Sequence, residues 1–227
     1  MTLPKVIYIM GMPGSGKGTQ ASMLAKEIGY RQFSTGDAMR SIAQEDTILG
    51  RQVKETIDNG YLAEPSMVAQ VVMETIQEHI SHSEGIIFDG TPRTLQEAEI
   101  LDGFFLTKKY GRPFVFYLEA DKNAMADRNS KRKYCLQVSK GFPIADKESI
   151  ARCEALGGVI GTRPDDDPAK FAIRYSQFME LTYPVIQKYM LEGIVHTVNG
   201  MDAPEAVHRN ILDIVQTYEL DKDSAGN

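Results

Sequence analysis

The sequence predicts an α/β protein with three layers, in which a five-stranded parallel sheet lies between two layers of helices. Five short, continuously apolar runs alternate with segments of helical periodicity. Such runs are typical of strands covered on both faces of a parallel sheet. The second observation is a glycine-rich segment, residues 11–20, which stands between the first apolar run and a helical pattern. A strand, a glycine-rich turn and a helix in this order begin many sheets of this class.

The predicted elements follow one another along most of the chain. The strands cover residues 5–10, 32–34, 86–88, 114–118 and 194–198. The helical stretches between the first three strands cover residues 17–28, 35–59 and 64–79. Gly29 and Gly60 end the first two of these stretches, because glycine adopts the left-handed conformation that terminates many helices.

Polar or small residues stand where the predicted strands end. Gly11, Ser34, Asp89 and Asn199 all occupy such positions. Ligands of parallel sheets bind outside the carboxyl ends of the strands. We therefore expect the functional site at this edge.

Residues 11–20 read Gly-Met-Pro-Gly-Ser-Gly-Lys-Gly-Thr-Gln and indicate a phosphate-binding loop. Backbone N–H groups of such a loop surround phosphate oxygens, and the helix N-terminus behind it adds partial positive charge. Lys17 is placed to reach the terminal phosphates. The general pattern has Ser or Thr directly after the lysine, whereas here Gly18 precedes Thr19.

Composition limits the classes of protein that this chain can belong to. A length of 227 residues allows one substantial core. The net charge of −6 argues against a broad nucleic-acid-binding surface. Two cysteines, Cys135 and Cys153, are too few for a disulfide scaffold, and no signal peptide or membrane span is predicted. We expect a reducing cytoplasm and neither nucleic acid nor membrane as partner.

Phosphoryl transfer requires positive charge around the moving group, a metal ion and in-line positioning. Residues 133–166 are predicted to be mostly non-helical and to form a lid or an ordered insert. Five arginines stand after the third strand or at the borders of this stretch: Arg93, Arg128, Arg132, Arg163 and Arg174. Each alone is typical of a solvated surface, but the group favours a phosphate site. Asp89 is predicted to hold Mg²⁺ through its water shell, with capping of the following turn as the alternative.

These motifs together resemble adenylate kinases and their nucleoside monophosphate (NMP) kinase relatives. The matching segments are residues 11–19, 34–40, 89–94, 127–132 and 163–166, with Arg174 in the following helix. The resemblance implies a P-loop NTPase fold with two inserts. The core would comprise residues 1–34, 65–132 and 167–227, with an NMP-binding insert at 35–64 and a lid at 133–166.

The resemblance also implies a role for each matched residue. ATP would be bound by Gly14, Ser15, Gly16, Lys17, Gly18, Thr19, Arg128, Arg132 and Gly200. The acceptor would be bound by Thr35, Arg40, Ala63, Gly90, Arg93, Glu97, Arg163 and Arg174. Catalysis would rest on Lys17, Arg93, Arg132, Arg163 and Arg174. Mg²⁺ would accompany ATP.

Glu97 departs from the family, which usually has glutamine at this position to read adenine. A carboxylate accepts hydrogen bonds but donates one only when it is protonated, and it could accept twice from guanine. The alternative is that Glu97 faces solvent and the backbone near Leu62 and Ala63 reads the base. Thr91 and Lys131 also replace family residues, and Lys131 either adds charge near ATP or points outward.

The lid departs from the family at its cysteines. Many bacterial relatives bind zinc with four ligands there, whereas this chain has Cys135 and Cys153 with Val138 and Leu156 at the other two positions. A structural zinc site needs four good donors. We therefore expect no structural zinc and an apolar cluster of these four side chains.

The motifs thus predict a monomeric enzyme that reversibly transfers the γ-phosphoryl group of ATP to AMP, giving two ADP. One alternative is the same reaction with GMP or a pyrimidine monophosphate. Another is a nucleotide sensor without catalysis, which would not need the transfer arginines.

Overall fold

The structure, a computed structural model, describes residues 3–79, 85–138, 141–144, 146–163 and 166–225. The strands are β1 (Val6–Gly11), β2 (Arg31–Ser34), β3 (Ile86–Asp89), β4 (Phe114–Glu119), β5 (Lys133–Leu136), β6 (Phe142–Ile144), β7 (Val159–Gly161) and β8 (Val195–Asn199). Five of them form a parallel sheet in the order β2-β3-β1-β4-β8. The carboxyl ends of these five strands therefore lie along one edge, as the sequence predicts.

Helices cover both faces of this sheet. They are α1 (Lys17–Ile28), α2 (Thr35–Ile42), α3 (Ile48–Asp58), α4 (Pro65–His79), α5 (Leu95–Lys108), α6 (Lys122–Lys131), α7 (Lys147–Ala155), α8 (Pro168–Gln177), α9 (Tyr183–Leu191) and α10 (Pro204–Ala225). Side chains alternate along a strand, so β1 sends Tyr8 into a core with α4, α5 and α9. It sends Ile7 and Ile9 into a second core with α1 and α10. The three-layer α/β class is confirmed.

The stretch predicted as helical between β2 and α4 contains two helices rather than one. The Ser34 hydroxyl accepts from the Asp37 N–H at the start of α2, and the Thr47 hydroxyl accepts from the Gly50 N–H at the start of α3. Such caps satisfy N–H groups that have no partner within the helix. The break between the helices therefore has a local cause in the sequence.

The segment between α6 and α8 is more regular than the sequence predicts. Strands β5, β6 and β7 form a small antiparallel sheet in the order β6-β5-β7. Most of the described residues in this stretch are non-helical, as expected, but it also contains the short helix α7, which begins at a capping box between Asp146 and Ser149. This reciprocal cap was present in the sequence as a start signal for a short helix.

The expected apolar cluster of Cys135, Val138, Cys153 and Leu156 is wrong in part. Cys135 and Cys153 are buried, but they form a disulfide. Strand β5 and helix α7 bring their Cα atoms to 5.6 Å, which is within the range a disulfide spans. Gly158 leaves room for the two sulfurs, since a Cβ there would lie 2.4 and 2.8 Å from them. Leu156, the expected fourth member of the cluster, is 56% exposed.

Reduction of this disulfide is expected to loosen the segment between β5 and β7. The bond closes a loop with a sequence separation of 18 residues, and a loop of this size gains about 3 kcal/mol from its cross-link. Proteolysis within residues 133–163 should therefore be faster after treatment with dithiothreitol. A variant with both cysteines replaced by serine should be cleaved at the fast rate with or without the reductant. Equal cleavage of oxidised and fully reduced protein would contradict the expectation.

None of the helices in the described ranges combines the length and apolar character needed to cross a bilayer.

Candidate active site

The glycine-rich loop lies between β1 and α1, as predicted. Gly14 and Gly16 have φ angles of 87° and 90°, a left-handed backbone that glycine adopts without strain. Gly16 is the N-cap of α1 and offers no side chain to its amide groups. The loop backbone and the first turn of α1 therefore form a concave surface suited to an anion.

The presence of glycine at residue 18 has a structural reason that the sequence did not reveal. A Cβ atom at this position would lie 2.9 Å from Oδ2 of Asp89, at the end of β3. The Ser or Thr of the general pattern would thus require this carboxylate to shift. The glycine at residue 18 and the carboxylate at the end of β3 are therefore related, because Asp89 lies against the position that a side chain of residue 18 would take.

Lys17 reaches back across the loop, and its ammonium group donates to the Met12 carbonyl at 2.9 Å. Burial lowers the pKa of Lys17 to about 7, Asp89 opposes this shift, and the charges of the nearby arginines add to it. Burial likewise raises the pKa of Asp89, against the effect of Lys17 and Arg93. The positive charges at this strand edge repel one another, and a bound phosphate would relieve that repulsion.

One cavity brings together most of the residues predicted to bind the acceptor. Its lining includes Lys17, Thr35, Arg40, Ala63, Gly90, Arg93, Glu97 and Arg174. Thr35 is buried, and its hydroxyl has no hydrogen-bond partner among the described residues. The lining of the cavity thus combines a cationic end, beside the phosphate loop, with a residue whose buried hydroxyl is unpartnered.

Arg163 lies outside that cavity, in a second one between α2–α3 and the β5–β7 segment. Its guanidinium group stacks 3.3 Å above the ring of Tyr134 and lies 3.4 Å from the Asp37 carboxylate. Asp37 also accepts a hydrogen bond from Arg40. Burial lowers the pKa of Arg163 to about 10. Sequence analysis missed the roles of Asp37 and Tyr134, although Asp37 stands inside the quoted 34–40 motif.

Arg132 and Arg174 share the buried carboxylate of Asp166. Arg132 donates through Nε at 3.1 Å and through Nη2, and Nη1 of Arg174 lies 3.6 Å away. The side-chain amide of Asn129 on α6 donates to the Asp166 carbonyl at 3.1 Å. Asp166 was quoted only as part of an acidic motif, whose Pro164 and Asp165 lie outside the described residues. The structure adds that it holds two of the predicted catalytic arginines.

Arg128 and Gly200, both predicted to bind ATP, are in direct contact. The guanidinium group of Arg128 donates to the carbonyls of Gly200 at 2.8 Å and Met201 at 2.9 Å. These two hydrogen bonds connect α6 to the loop after β8, beside the phosphate loop. Lys131, in contrast, is exposed and paired with Asp127. Of the two orientations considered from the sequence, it therefore has the outward one.

Glu97 does not face solvent, so that part of the alternative considered from the sequence is wrong, whereas base reading by the backbone near Leu62 and Ala63 stays a prediction. Glu97 is 2% exposed and belongs to the lining of the cavity predicted to bind the acceptor. Oε1 accepts from the Thr91 hydroxyl, and Oε2 accepts from the Arg93 N–H at 3.0 Å. Burial raises the pKa of Glu97 to about 7. Two departures from the family, Thr91 and Glu97, are therefore hydrogen-bonded to each other.

A helical irregularity contacts the turn after β3, which carries Arg93. A single π-helical turn, Phe178–Thr182, joins α8 to α9. The Thr182 hydroxyl donates to the Arg93 carbonyl at 3.0 Å, and the Arg93 side chain donates through Nε to the Gly90 carbonyl at 2.6 Å. Arg93 is thus fixed through its backbone and its side chain, with its guanidinium group at the cavity.

Comparison with known proteins agrees with this geometry. The family model described as adenylate kinase matches residues 9–194. The adenylate kinase of Syntrophotalea carbinolica is 33% identical over 208 residues, which cover 91% of this chain and 96% of the relative. Those of Kosmotoga olearia and Bartonella quintana are 35% and 36% identical, over 91% and 90% of this chain and 96% of each relative. The resemblance found in the motifs is confirmed. The chain therefore belongs to the adenylate kinase family, the phosphotransferases that convert ATP and AMP into ADP.

Proposed function

We propose that this protein transfers the γ-phosphoryl group of ATP reversibly to AMP. A phosphate oxygen of AMP attacks the γ-phosphorus, the bond from that phosphorus to the β–γ bridging oxygen breaks, and two ADP result. The observation that carries the proposal is the acceptor cavity, in which Lys17 of the phosphate loop and the arginines at 40, 93 and 174 line one space. No side chain needs to act as a nucleophile, because charge and positioning supply the catalysis.

The ATP side of the site is assigned to the phosphate loop and its neighbours. Gly14, Ser15, Gly16, Gly18 and Thr19 would surround the phosphates with backbone N–H groups. Lys17 and Arg132 would neutralise charge on the moving group. Arg128, held against the Gly200 and Met201 carbonyls, would lie beside the adenine of ATP.

The acceptor side is assigned to the cavity. Arg40 and Arg93 would bind the phosphate of AMP, and Arg174 would bridge it to the transferred group. Thr35, Ala63, Gly90 and Glu97 would surround the rest of the nucleotide. Arg163 would reach this phosphate region from the opposite insert, and its contact with Asp37, which also accepts a hydrogen bond from Arg40, supports this assignment.

Mg²⁺ fits the chemistry of the strand edge. Asp89 offers a hard oxygen donor close to the phosphate loop, at the point where Gly18 lacks a side chain. Mg²⁺ commonly keeps several waters and binds through one or two carboxylates plus phosphate oxygens. Asp89 would hold that hydrated ion, which would lower the negative charge on the ATP phosphates.

We assign residues 35–64 to an NMP-binding insert and 133–166 to a lid, with the remaining segments as the core. Closure of both inserts over the nucleotides would exclude water, which would otherwise accept the phosphoryl group. We further propose that the protein acts as a monomer in the cytoplasm. A reducing cytoplasm would keep Cys135 and Cys153 as thiols, so the lid would work there without its cross-link.

A panel of acceptors tests the proposed function. AMP, GMP, CMP and UMP are each incubated with ATP and Mg²⁺, and nucleoside diphosphates are followed by ³¹P NMR. We expect AMP to be the best acceptor and ATP alone to be hydrolysed slowly. GMP is the second candidate, because an ionised Glu97 would accept from two donors of guanine. Failure of all four acceptors at high protein concentration would favour the nucleotide sensor instead.

A further inference from the structure

We propose that the proton on Glu97 selects the purine base of the acceptor. The neutral carboxylic acid matches adenine, and the ionised carboxylate matches guanine. The inference rests on the proposed transfer to a nucleoside monophosphate and adds a specificity determinant to it. The relative rates with AMP and GMP would then depend on pH.

The first support is the position of Glu97. It stands in the first turn of α5, where the Glu97 N–H donates to the Thr94 hydroxyl at 3.1 Å. Its side chain lines the cavity that also contains Thr35 and Ala63, yet the residue is 2% exposed. Bulk water is therefore largely excluded, and a base in the cavity would have to satisfy the carboxyl group.

The second support is the hydrogen-bonding capacity that remains on the carboxyl group. Each oxygen already accepts one hydrogen bond, from the Thr91 hydroxyl and from the Arg93 N–H. An ionised carboxylate offers about four acceptor sites. Each oxygen therefore keeps one site for a ligand, and the two existing bonds fix the orientation of the group.

The two protonation states present different patterns to a base. A neutral acid donates through its hydroxyl and accepts through its carbonyl, which complements the ring nitrogen and amino group of adenine. An ionised carboxylate accepts twice, which complements the two neighbouring N–H donors of guanine. The wrong state would place two acceptors, or two donors, against each other. A buried mismatch of this kind is strongly rejected.

The charges that face Glu97 allow both states near neutral pH. Arg93 lies on the turn after β3 and favours the anion through its N–H and its charge, whereas burial disfavours the anion. Tyr8 on β1 and Tyr189 on α9 also face Glu97, and their own raised pKa values keep both rings neutral. The balance leaves the pKa of Glu97 at about 7, so both forms are populated at neutral pH.

The backbone at residue 62, the other group considered as a reader of the base, is already engaged. The Leu62 N–H donates to Oε1 of Gln177 at 2.9 Å, and Nε2 of Gln177 donates to the Gly60 carbonyl at 3.0 Å. The Leu62 N–H would have to break its hydrogen bond to Gln177 before it could bind a base. Glu97 could bind a base while it keeps its hydrogen bonds to Thr91 and Arg93.

The test compares kcat/KM for AMP and for GMP across the titration of Glu97. The ratio of the two values should fall at least about tenfold between about pH 6 and about pH 8.5. Titration of the acceptor phosphate and of ATP affects both substrates alike and cancels in the ratio. A ratio that stays constant while AMP is turned over would overturn the inference and leave the proposed function intact. Absence of transfer to either acceptor would instead contradict the proposed function itself.

Glu97→Gln is the matched variant, because glutamine offers one donor and one acceptor at every pH. Its AMP-to-GMP ratio should be high and independent of pH. A ratio that falls with pH as steeply as in the wild type would overturn the inference, since another group would then carry the titration.

Calorimetry provides a readout that does not depend on turnover. Binding of AMP and of GMP is measured near pH 7 in buffers with different ionisation enthalpies, which reports the protons taken up. AMP should take up more protons than GMP, by a difference of about half a proton or more, because each base selects one state of Glu97. The difference should vanish in Glu97→Gln. Equal uptake with the two nucleotides in the wild type would contradict the proposal.

Discussion

Replacement of Lys17 by methionine is expected to lower kcat/KM about a thousandfold or more. Lys17 lies inside the loop, and in the proposed function its charge would lie close to the moving phosphoryl group. Preorganised charge in a water-excluded site contributes several kcal/mol to transition-state stabilisation. Methionine keeps most of the side-chain length and removes the charge, so folding should be preserved. Steady-state kinetics with ATP and AMP, together with the thermal unfolding midpoint, would measure both effects.

Lys26→Met is the matched control for this prediction. Lys26 stands on the same helix in its last turn and is exposed. The same change of residue type there should leave kcat and KM within about twofold, because an exposed charge far from the loop is screened by solvent. Retention of a tenth or more of wild-type activity by Lys17→Met would contradict the assigned role.

Replacement of Asp166 by asparagine is expected to reduce both stability and turnover. The side chain is 1% exposed and holds Arg132 and Arg174 at once. Removal of one partner from a buried ion pair costs about 3–5 kcal/mol, and we expect about 2–3 kcal/mol here because both arginines keep some access to water. The two guanidinium groups would also lose their common anchor. Misplacement of catalytic groups by about 1 Å can cost a hundredfold in kcat.

Urea denaturation and kcat at saturating substrates would measure the two effects of Asp166→Asn. The neighbouring Asp167→Asn is the control, because Asp167 is exposed and caps α8 by accepting from the Ala169 N–H. Asparagine caps a helix about as well as aspartate, so the control should change stability by less than about 0.5 kcal/mol. Equal unfolding midpoints and equal kcat in both variants would show that the arginines are positioned by other groups.

The parallel sheet was predictable because its information is local. Each strand is a continuous apolar run, and glycine or a capping residue marks the ends of several helices. The predicted strand at 86–88 lies within β3, and the one at 114–118 lies within β4. The segment between α6 and α8 was not predictable in the same way. Its strands β5, β6 and β7 contain Lys133, Pro143 and Gly161 and lack the continuous apolar run that marks β3.

The kinds of residue at the site were also predictable, but their partners were not. Positions at strand ends and at the borders of residues 133–166 singled out Asp89 and five arginines, the glycine-rich motif singled out Lys17, and the family resemblance added Arg40. The close approach that a side chain at residue 18 would make depends on Asp89, which lies 71 residues further along the chain. The same holds for the carboxylate of Asp166, whose guanidinium partners stand at the C-cap of α6 and within α8.

The sequence by itself determined the class of fold, the phosphate loop and the family, because each depends on patterns within a few consecutive residues. The tertiary structure alone decided the environment of Glu97, the pairing of Cys135 with Cys153 and the sharing of Asp166. A carboxyl group is an exposed anion or a buried, partly protonated acid according to what packs around it. That packing comes from segments far apart in sequence. For this chain the environment of Glu97 is what bears on the choice of acceptor base.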